Sequence, residues 1–533
     1  MGANQDLAVA GSSPDLRIAE VSAGRGTIGV TFCPGKHSPG QGGTLHARSV
    51  EADMDAIRRW GASAVVTLIE AHEFELLNVT AFPNAVRVAG LEWHHLPVVD
   101  MSVPDQTFER RWRYAGLRVR RRLRAGERVL VHCRGGLGRA GLVAASLLVE
   151  LGVARPAEAI ASVRAVRPGA IETSAQARWV EGRRTVSSTE DERAARELGC
   201  LLGGAIGDAL GARVEFDSLD AIRARHGPQG IRLADAGGPL VITDDTQMTL
   251  YTLEAMARAG HGDAIVEEIR EAYLDWLDTQ QHHAVTRSLR GRLAAHPTLR
   301  HSRAPGNTCL SALIAGGQGT LTQPINHSKG CGGVMRTAPI GFLHGPEPLR
   351  RAFEVGAAAA AITHGHPDGW APAGVMAMAV RALSDQADWL AVFDAGIDAL
   401  AGHPSASGTA RLLGAARQRI ERNAGAADVI SLGEGWVGDE ALAVGLAAAA
   451  VAPGFSEAVE VAANHDGDSD STASIAGQLY GARHGVDVLP ADAVYRLDVL
   501  DPLLEVWGEW AVAARAAAVF RLPQPAARGD SRY

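Results

Sequence analysis

Residues 131–141 read VHCRGGLGRAG. A run with strand character, RVLVHC (128–133), ends in a single cysteine. Glycines and Arg139 follow, and then AGLVAASLLVELG (140–152), which has the length and apolar content of a buried helix. Strand, glycine turn and helix in immediate succession make one unit of an α/β layer. Working outward, further β-like runs stand at TIGVTF (27–32), SAVVTLI (63–69) and EWHHLPV (92–98), and the helical stretch VEADMDAIRRWG lies between the first two. The alternation predicts an α/β sheet layered with helices in the first part of the chain.

The chain has 533 residues, too many for one ordinary core, so roughly two to four domains are expected. Hydrophobic content of 46% and charged content of 21% are those of a globular protein. A net charge of −8 argues against a generic nucleic-acid binder. The five cysteines are odd in number and scattered, which reads as reduced thiols rather than a disulfide framework. The first residues, MGANQDLAVAGSSPDL, lack the basic and long apolar segments of a secretory signal. Runs such as LAVGLAAAAVA are too short to span a bilayer. These features predict a cytoplasmic enzyme with no membrane partner.

From about residue 192 the character changes. ERAARELGCLLGGAIGDALG, TQMTLYTLEAMARAG and APAGVMAMAVRALSD are rich in Ala, Leu and Gly with few β-branched runs, which predicts closely packed helices. The polar stretch EGRRTVSSTEDE (181–192) supplies the joint, with the linker at 183–192 and Ser188 or Thr189 as cap of the next helix. Residues 1–24 and the tail 523–533 read as flexible ends.

The loop after Cys133 carries chemistry. Gly135, Gly136 and Gly138 let backbone N–H groups converge, and with the helix start they form a site for a phosphate-sized anion. The same field favours a thiolate at Cys133, and Arg139 can grip two phosphoryl oxygens. HCRGGLGR resembles the HC-x5-R signature of cysteine-dependent protein phosphatases, and HHLPVVDMSVPD with HCRGGLGRAGLVAASLL looks like their dual-specificity branch of the cyclin-dependent-kinase-inhibitor-3 type. The resemblance covers residues 25–182 and implies Cys133 as nucleophile, Arg139 as phosphoryl ligand, Arg134 and the loop glycines as substrate-binding positions, and Asp100 as general acid with Asp105 as the alternative. It departs at Ala140, where most relatives carry a serine or threonine that helps break the phosphoenzyme. The basic stretch RRWRYAGLRVRRRLRAGER (110–128) reads as an amphipathic helix with Leu117 and Leu123 inside; the other reading is an electrostatic funnel for a polyanion.

Two acidic clusters stand far apart in the second half. TDDTQM places Thr243, Asp244 and Asp245 at a helix start, and HDGDSDST places Asp468, Asp470 and Ser471 within four residues. Carboxylates this close repel unless a cation intervenes, and hard oxygen donors suit Mg²⁺, Mn²⁺ or Ca²⁺ rather than zinc. With GGAIGDALGARVEF, RAPGNTCLSAL, SKGCGGVMRTAPIGF and ITHGHP in the same order, the series resembles the ADP-ribosylglycohydrolase family, which includes dinitrogenase-reductase-activating glycohydrolases. The resemblance covers residues 193–522 and implies an all-α domain with two divalent cations, Mg²⁺ or Mn²⁺, held by Thr243, Asp244, Asp245, Asp468, Asp470 and Ser471 at the mouth of an ADP-ribose cleft. It implies Glu215 as a catalytic carboxylate beside them. Ser328, Gly330, Gly332, Gly333 and His364 would contact the ligand, with Cys331 where many relatives have asparagine. The chain is therefore expected to be a bifunctional hydrolase acting on ADP-ribosylated protein or an ADP-ribose-containing small molecule and on a phosphorylated substrate. The alternative is a glycohydrolase with a weak or dead phosphate-binding module.

Overall fold

The computed structural model describes residues 16–39, 45–280, 288–422 and 425–519. The expected tail at 523–533 lies outside these residues, as does most of the expected flexible start. The chain divides into two compact units, Met1–Asp191 and Glu192–Tyr533.

The first unit is built on a five-stranded sheet. Its strands are β1 (Ala19–Ala23), β2 (Gly26–Thr31), β5 (Ala62–Thr67), β6 (Glu92–His95) and β7 (Arg128–His132), in the order β1-β2-β7-β5-β6. A separate pair, β3 (His37–Pro39) and β4 (Leu45–Ala47), lies between β2 and β5 in sequence. β1 runs antiparallel to β2, and the other neighbours are parallel. β2, β5 and β7 end in register at Thr31, Thr67 and His132, so the loops after them meet at one edge of the sheet. That edge, at the carboxyl ends of parallel strands, is where such sheets place ligands.

Two expected boundaries are corrected. Residues 19–23 were expected in a flexible end, yet AEVSA alternates buried and exposed and forms β1, because period-2 patterning finds a partner in β2. The expected linker is helical from Ser188. Its cap is Ser187 rather than Ser188 or Thr189: the Ser187 hydroxyl accepts from Glu190 N–H (3.1 Å) and the Glu190 carboxylate accepts from Ser187 N–H (3.0 Å), a reciprocal capping box.

The basic stretch forms helix Gln106–Arg124, with Leu117 and Leu123 fully buried. Arg118 pairs with Glu92 at 2.5 Å, and Arg120 pairs with Glu150 and Asp191 at 2.7 Å each. These guanidinium groups are buried and serve the fold, which favours the amphipathic-helix reading over the funnel.

The second unit is helical. Helix Ser188–Gly211 carries glycine at 199, 203, 207 and 211, a spacing of four that lays them along one face. Helix Ser469–His484 rides on that face: a Cβ on Gly203 would stand 2.4 Å from the Gly477 carbonyl oxygen, and one on Gly207 2.1 Å from that of Ala473. This approach brings the start of one helix, with Asp468, Asp470 and Ser471, against the end of the other, with Asp208 and, just beyond it, Glu215. None of the described helices is long and apolar enough to cross a membrane.

Candidate active sites

In the first unit the turn after β7 wraps a small space. Gly136 adopts φ +69°, and a Cβ there would meet the Thr31 carbonyl carbon at 2.4 Å, so only glycine fits. Its N–H donates to Cys133 Sγ at 3.2 Å. Gly138 and Arg139 open helix Gly138–Glu150, where first-turn N–H groups have no intrahelical carbonyl to meet. Arg167 fastens the turn from outside, donating to the Gly136 and Gly135 carbonyls at 3.0 and 2.9 Å. Arg134 is exposed at the rim, and Ala140 is fully buried.

Arg139 is 1% exposed, and its orientation is set by a residue that sequence reading missed. Glu73 binds it bidentately, Oε2 to Nη1 at 2.6 Å and Oε1 to Nη2 at 3.1 Å. The Val98 carbonyl accepts from Nη1 at 3.0 Å. Glu73 is itself held by the Glu70 N–H at 2.8 Å, at the start of helix Ala71–Leu76. The Nε–H of Arg139 is buried and has no acceptor among the described residues, an unspent donor on the cation. Asp100 lies 3.1 Å from Nη2 with about half of its side chain exposed. Asp105, the alternative acid, caps the next helix by accepting from Phe108 N–H at 2.8 Å, which leaves Asp100 as the carboxylate at the turn. Glu73 gave no signal in the sequence, because it stands 66 residues from Arg139 in an ordinary polar helix.

In the second unit the acidic clusters meet. Ligand oxygens of Glu215, Asp468 and Asp470 all lie within 4.8 Å of one another. Ser471 Oγ donates to Asp245 at 2.8 Å, tying the two helix starts together. Asp244 accepts from Gly306 N–H at 3.2 Å. Beneath them lies Asp208, quoted in its motif but given no role. It accepts from the N–H and hydroxyl of Thr243 (3.0 and 2.8 Å) and from those of Thr246, and so fixes the start of helix Asp244–Ala259. A lone carboxylate inside the apolar run LLGGAIGDALG was the available signal.

Among the described residues, no Lys, Arg or His forms an ion pair with any of these six carboxylates. Burial and the charge of Asp470 push Glu215 up to about 8 and Asp208 up to about 7, and hold Asp244, Asp245 and Asp468 well above the usual carboxylate range. So many acids, with hydroxyls between them and no basic partner, fit hard divalent cations.

The glycine loop lies alongside. Gly330 bridges to Val437, and Cys331 N–H donates to the Trp436 carbonyl at 3.2 Å. Ser328 Oγ accepts from Gly330 N–H at 3.3 Å. His364, expected to face the ligand, is 1% exposed and lies under the loop. Cβ atoms on Gly330, Gly332 or Gly333 would come within 3.2–3.5 Å of its ring. Its Nδ1 shares a hydrogen with Thr363 Oγ1 at 2.8 Å, and burial and the Arg336 charge lower its pKa to about 3, so it is a neutral support for the loop. His366 caps helix Pro367–Ser384, its Nδ1 accepting from Asp368 N–H at 3.0 Å.

Comparison with known proteins agrees with both halves. A family model described as ADP-ribosylglycohydrolase matches residues 189–525, and one described as Swiss Army Knife protein, DSP-PTPase phosphatase domain, matches residues 43–180. The chain is 28% identical over 312 residues to the ADP-ribosyl-dinitrogen reductase glycohydrolase of Rhodospirillum rubrum, covering 57% of this chain and 90% of that protein. It is 25% identical to the ADP-ribosylarginine hydrolase Tri1 of Pseudomonas putida, covering 63% and 82%. In the first unit it is 32% identical over 133 residues to cyclin-dependent kinase inhibitor 3 of Rattus norvegicus, covering 24% of this chain and 60% of that protein. The chain belongs to the ADP-ribosylglycohydrolase family, and that domain is preceded in the same chain by a phosphatase domain of the DSP-PTPase kind.

Proposed function

We propose that the second unit removes ADP-ribose by divalent-cation-dependent cleavage of the ribosyl glycosidic bond. The observation that carries this is the convergence of Glu215, Asp468 and Asp470 within 4.8 Å, among further buried acids that have no basic partner among the described residues. Thr243, Asp244, Asp245, Asp468, Asp470 and Ser471 would hold two ions, Mg²⁺ or Mn²⁺. Bound there, such ions orient ribose hydroxyls and make water a better nucleophile at neutral pH. Glu215 is only partly buried and stands beside Asp468 and Asp470, a position from which a carboxylate can exchange a proton with water or leaving group. Asp208 acts through Thr243 and Thr246 as a positioning residue. The substrate is an ADP-ribosylated protein or an ADP-ribose-containing small molecule. Product analysis with a panel of ADP-ribosylated substrates, with and without divalent ions, tests the reading; release of ADP-ribose only when ions are present supports it.

The first unit acts on a phosphorylated substrate. Cys133 Sγ attacks phosphorus, the bond to the leaving oxygen breaks, and Asp100 supplies that oxygen with a proton. Arg139 Nε and the turn N–H groups take the equatorial charge. Water then cleaves the phosphocysteine. Ala140 favours a second reading, a slow or purely phosphate-binding module, because a methyl group occupies the place where most relatives have a hydroxyl. Steady turnover of an aryl phosphate that Cys133→Ser abolishes separates the two.

A further inference from the structure

The Cys133 turn shares its edge of the sheet with the end of β2 and the start of β1, which pair antiparallel from Ala19 and Val30. The segment 32–36 that leaves β2 is bonded to the turn. Cys33 N–H donates to the Arg134 carbonyl at 3.3 Å, and a Cβ on Gly136 would stand 2.6 Å from the Phe32 nitrogen. Cationic side chains arrive by these connections. Arg134 belongs to the turn and is exposed. Arg167 holds the Gly135 and Gly136 carbonyls through Nη2 and Nε. Lys36 ends the 32–36 segment, with its Nζ 5.4 Å from the centre of the Phe32 ring, whose face attracts a cation. Gly35, at φ +73°, turns the chain before it, and its N–H donates to Asp53 at 2.7 Å. Arg17 stands just before β1, exposed, its carbonyl accepting from Thr31 Oγ1 at 2.9 Å.

These charges are not spent on carboxylates. Among the described residues, none of Arg17, Lys36, Arg134 and Arg167 forms an ion pair. The acids around them are engaged elsewhere: Asp53 by Arg48 at 2.6 Å, Glu73 and Asp100 by Arg139 at 2.6 and 3.1 Å. Glu172 flanks the turn at Gly138, where the helix starts, rather than at Gly135 and Gly136. Burial pulls the Lys36 pKa below its ordinary value, and the Arg134 and Arg167 charges pull the same way. Like charges gathered without a counter-charge raise the local potential for an anion.

The phosphate over Cys133 does not use them all. Cys133 is 3% exposed at the bottom of the turn, where Arg139 and the turn N–H groups already serve it, while Arg134 and Arg17 project at the rim. We propose that Lys36, Arg134, Arg167 and Arg17 form a second anion subsite there, so that the first unit takes a phosphate monoester bearing a further phosphate on the same molecule. The inference rests on phosphate binding by the Cys133 turn, and it holds whether that turn hydrolyses its ligand or only binds it. The second phosphate is gripped by charge-assisted hydrogen bonds and undergoes no chemistry.

Calorimetry of the full chain carrying Cys133→Ser tests this, with a chelator present so that the second unit's cation site takes no part. The probes are inorganic phosphate, glucose 1-phosphate and glucose 1,6-bisphosphate. The expected result is that the bisphosphate binds ~10-fold or more tighter than either single phosphate, and that its advantage shrinks as salt rises. Lys36→Met in the same background removes most of the advantage and leaves glucose 1-phosphate affinity unchanged, whereas a merely structural role would weaken both; Lys36→Arg restores it. The salt series needs no change at Lys36, so the conclusion does not depend on that variant folding. Phosphatidylcholine vesicles carrying phosphatidylinositol 4-phosphate identify the source: binding tighter than to the soluble bisphosphate assigns the second phosphate to a lipid headgroup, and weaker binding assigns it to a free molecule. Equal affinity for the three soluble probes, or an advantage that survives whole in Lys36→Met, overturns the second subsite while phosphate binding by the turn stands. No binding of any probe, inorganic phosphate included, overturns both.

Discussion

Replacing Glu73 with alanine removes both carboxylate oxygens from a guanidinium that is 1% exposed. Stripping one partner from a buried ion pair costs ~3–5 kcal/mol. Asp100 stays 3.1 Å from Nη2 but is half in water, so it offsets only part of the loss and the lower end applies. For a unit of this size each kcal/mol moves the melting temperature by ~2–4 °C, so the first unit should melt about 6–12 °C lower. The kinetic effect is separate. Glu73 aims the Arg139 fork, and a misplacement of order 1 Å at a reacting centre costs ~100-fold in rate. Glu73→Gln keeps an acceptor in place and should fall between the two. The assays are calorimetry of the full chain and aryl phosphate hydrolysis under kcat/KM conditions. If Glu73→Ala melts within about 1 °C of the parent and keeps its kcat/KM, the pair neither supports the fold nor aims Arg139.

Cys133→Ser should abolish aryl phosphatase activity and leave ADP-ribose release intact, whereas Ala140→Ser should speed phosphocysteine breakdown; an unchanged ratio of burst to steady state in Ala140→Ser denies the hydroxyl that role. Gly203→Val places a side chain where even Cβ meets the Gly477 carbonyl at 2.4 Å, so it should cost ~1–3 kcal/mol and depress glycohydrolase turnover by shifting Asp468 and Asp470; a fully active variant would show that the helix contact does not set the site. His132 is buried beside Thr67 (2.8 Å), and burial lowers its pKa from 6.5 to about 3. The unfolded chain therefore takes up a proton below pH 6.5 that the folded unit refuses until about 3, so stability falls as pH drops through that window, by up to ~1.4 kcal/mol per pH unit. Melting of the parent and His132→Asn between pH 7 and 4 checks this; equal pH slopes would exclude the histidine as the cause.

Local chemistry was legible where residues are contiguous. Cys133, the glycines and Arg139 occupy one turn, and each acidic cluster occupies one helix start, so spacing alone assembled them. That the two acidic clusters share one site came from the ordered resemblance; the physical cause is the glycine face at 199, 203, 207 and 211 that seats helix Ser469–His484. Glu73 and Asp208 were not assigned, because their roles exist only through partners distant in sequence. The packing of His364 under three glycines is visible only in three dimensions, because the motif shows no more than a histidine beside a threonine. The strand at 19–23 was overlooked because its core residues are alanines and a valine, whose patterning is weak without the β2 partner.

The central claim, cation-dependent removal of ADP-ribose by the clustered carboxylates, is tested most directly by one series. The intact chain is stripped of ions by chelation, metal loss is verified by elemental analysis, and ADP-ribose release from arginine-, serine- and nucleobase-linked substrates is followed before and after Mg²⁺ or Mn²⁺ is restored. Asp470→Asn runs in parallel. The account predicts release from at least one linkage that vanishes on stripping, returns on reloading and is absent in Asp470→Asn. Full release by the verified metal-free protein, or by Asp470→Asn, would contradict it.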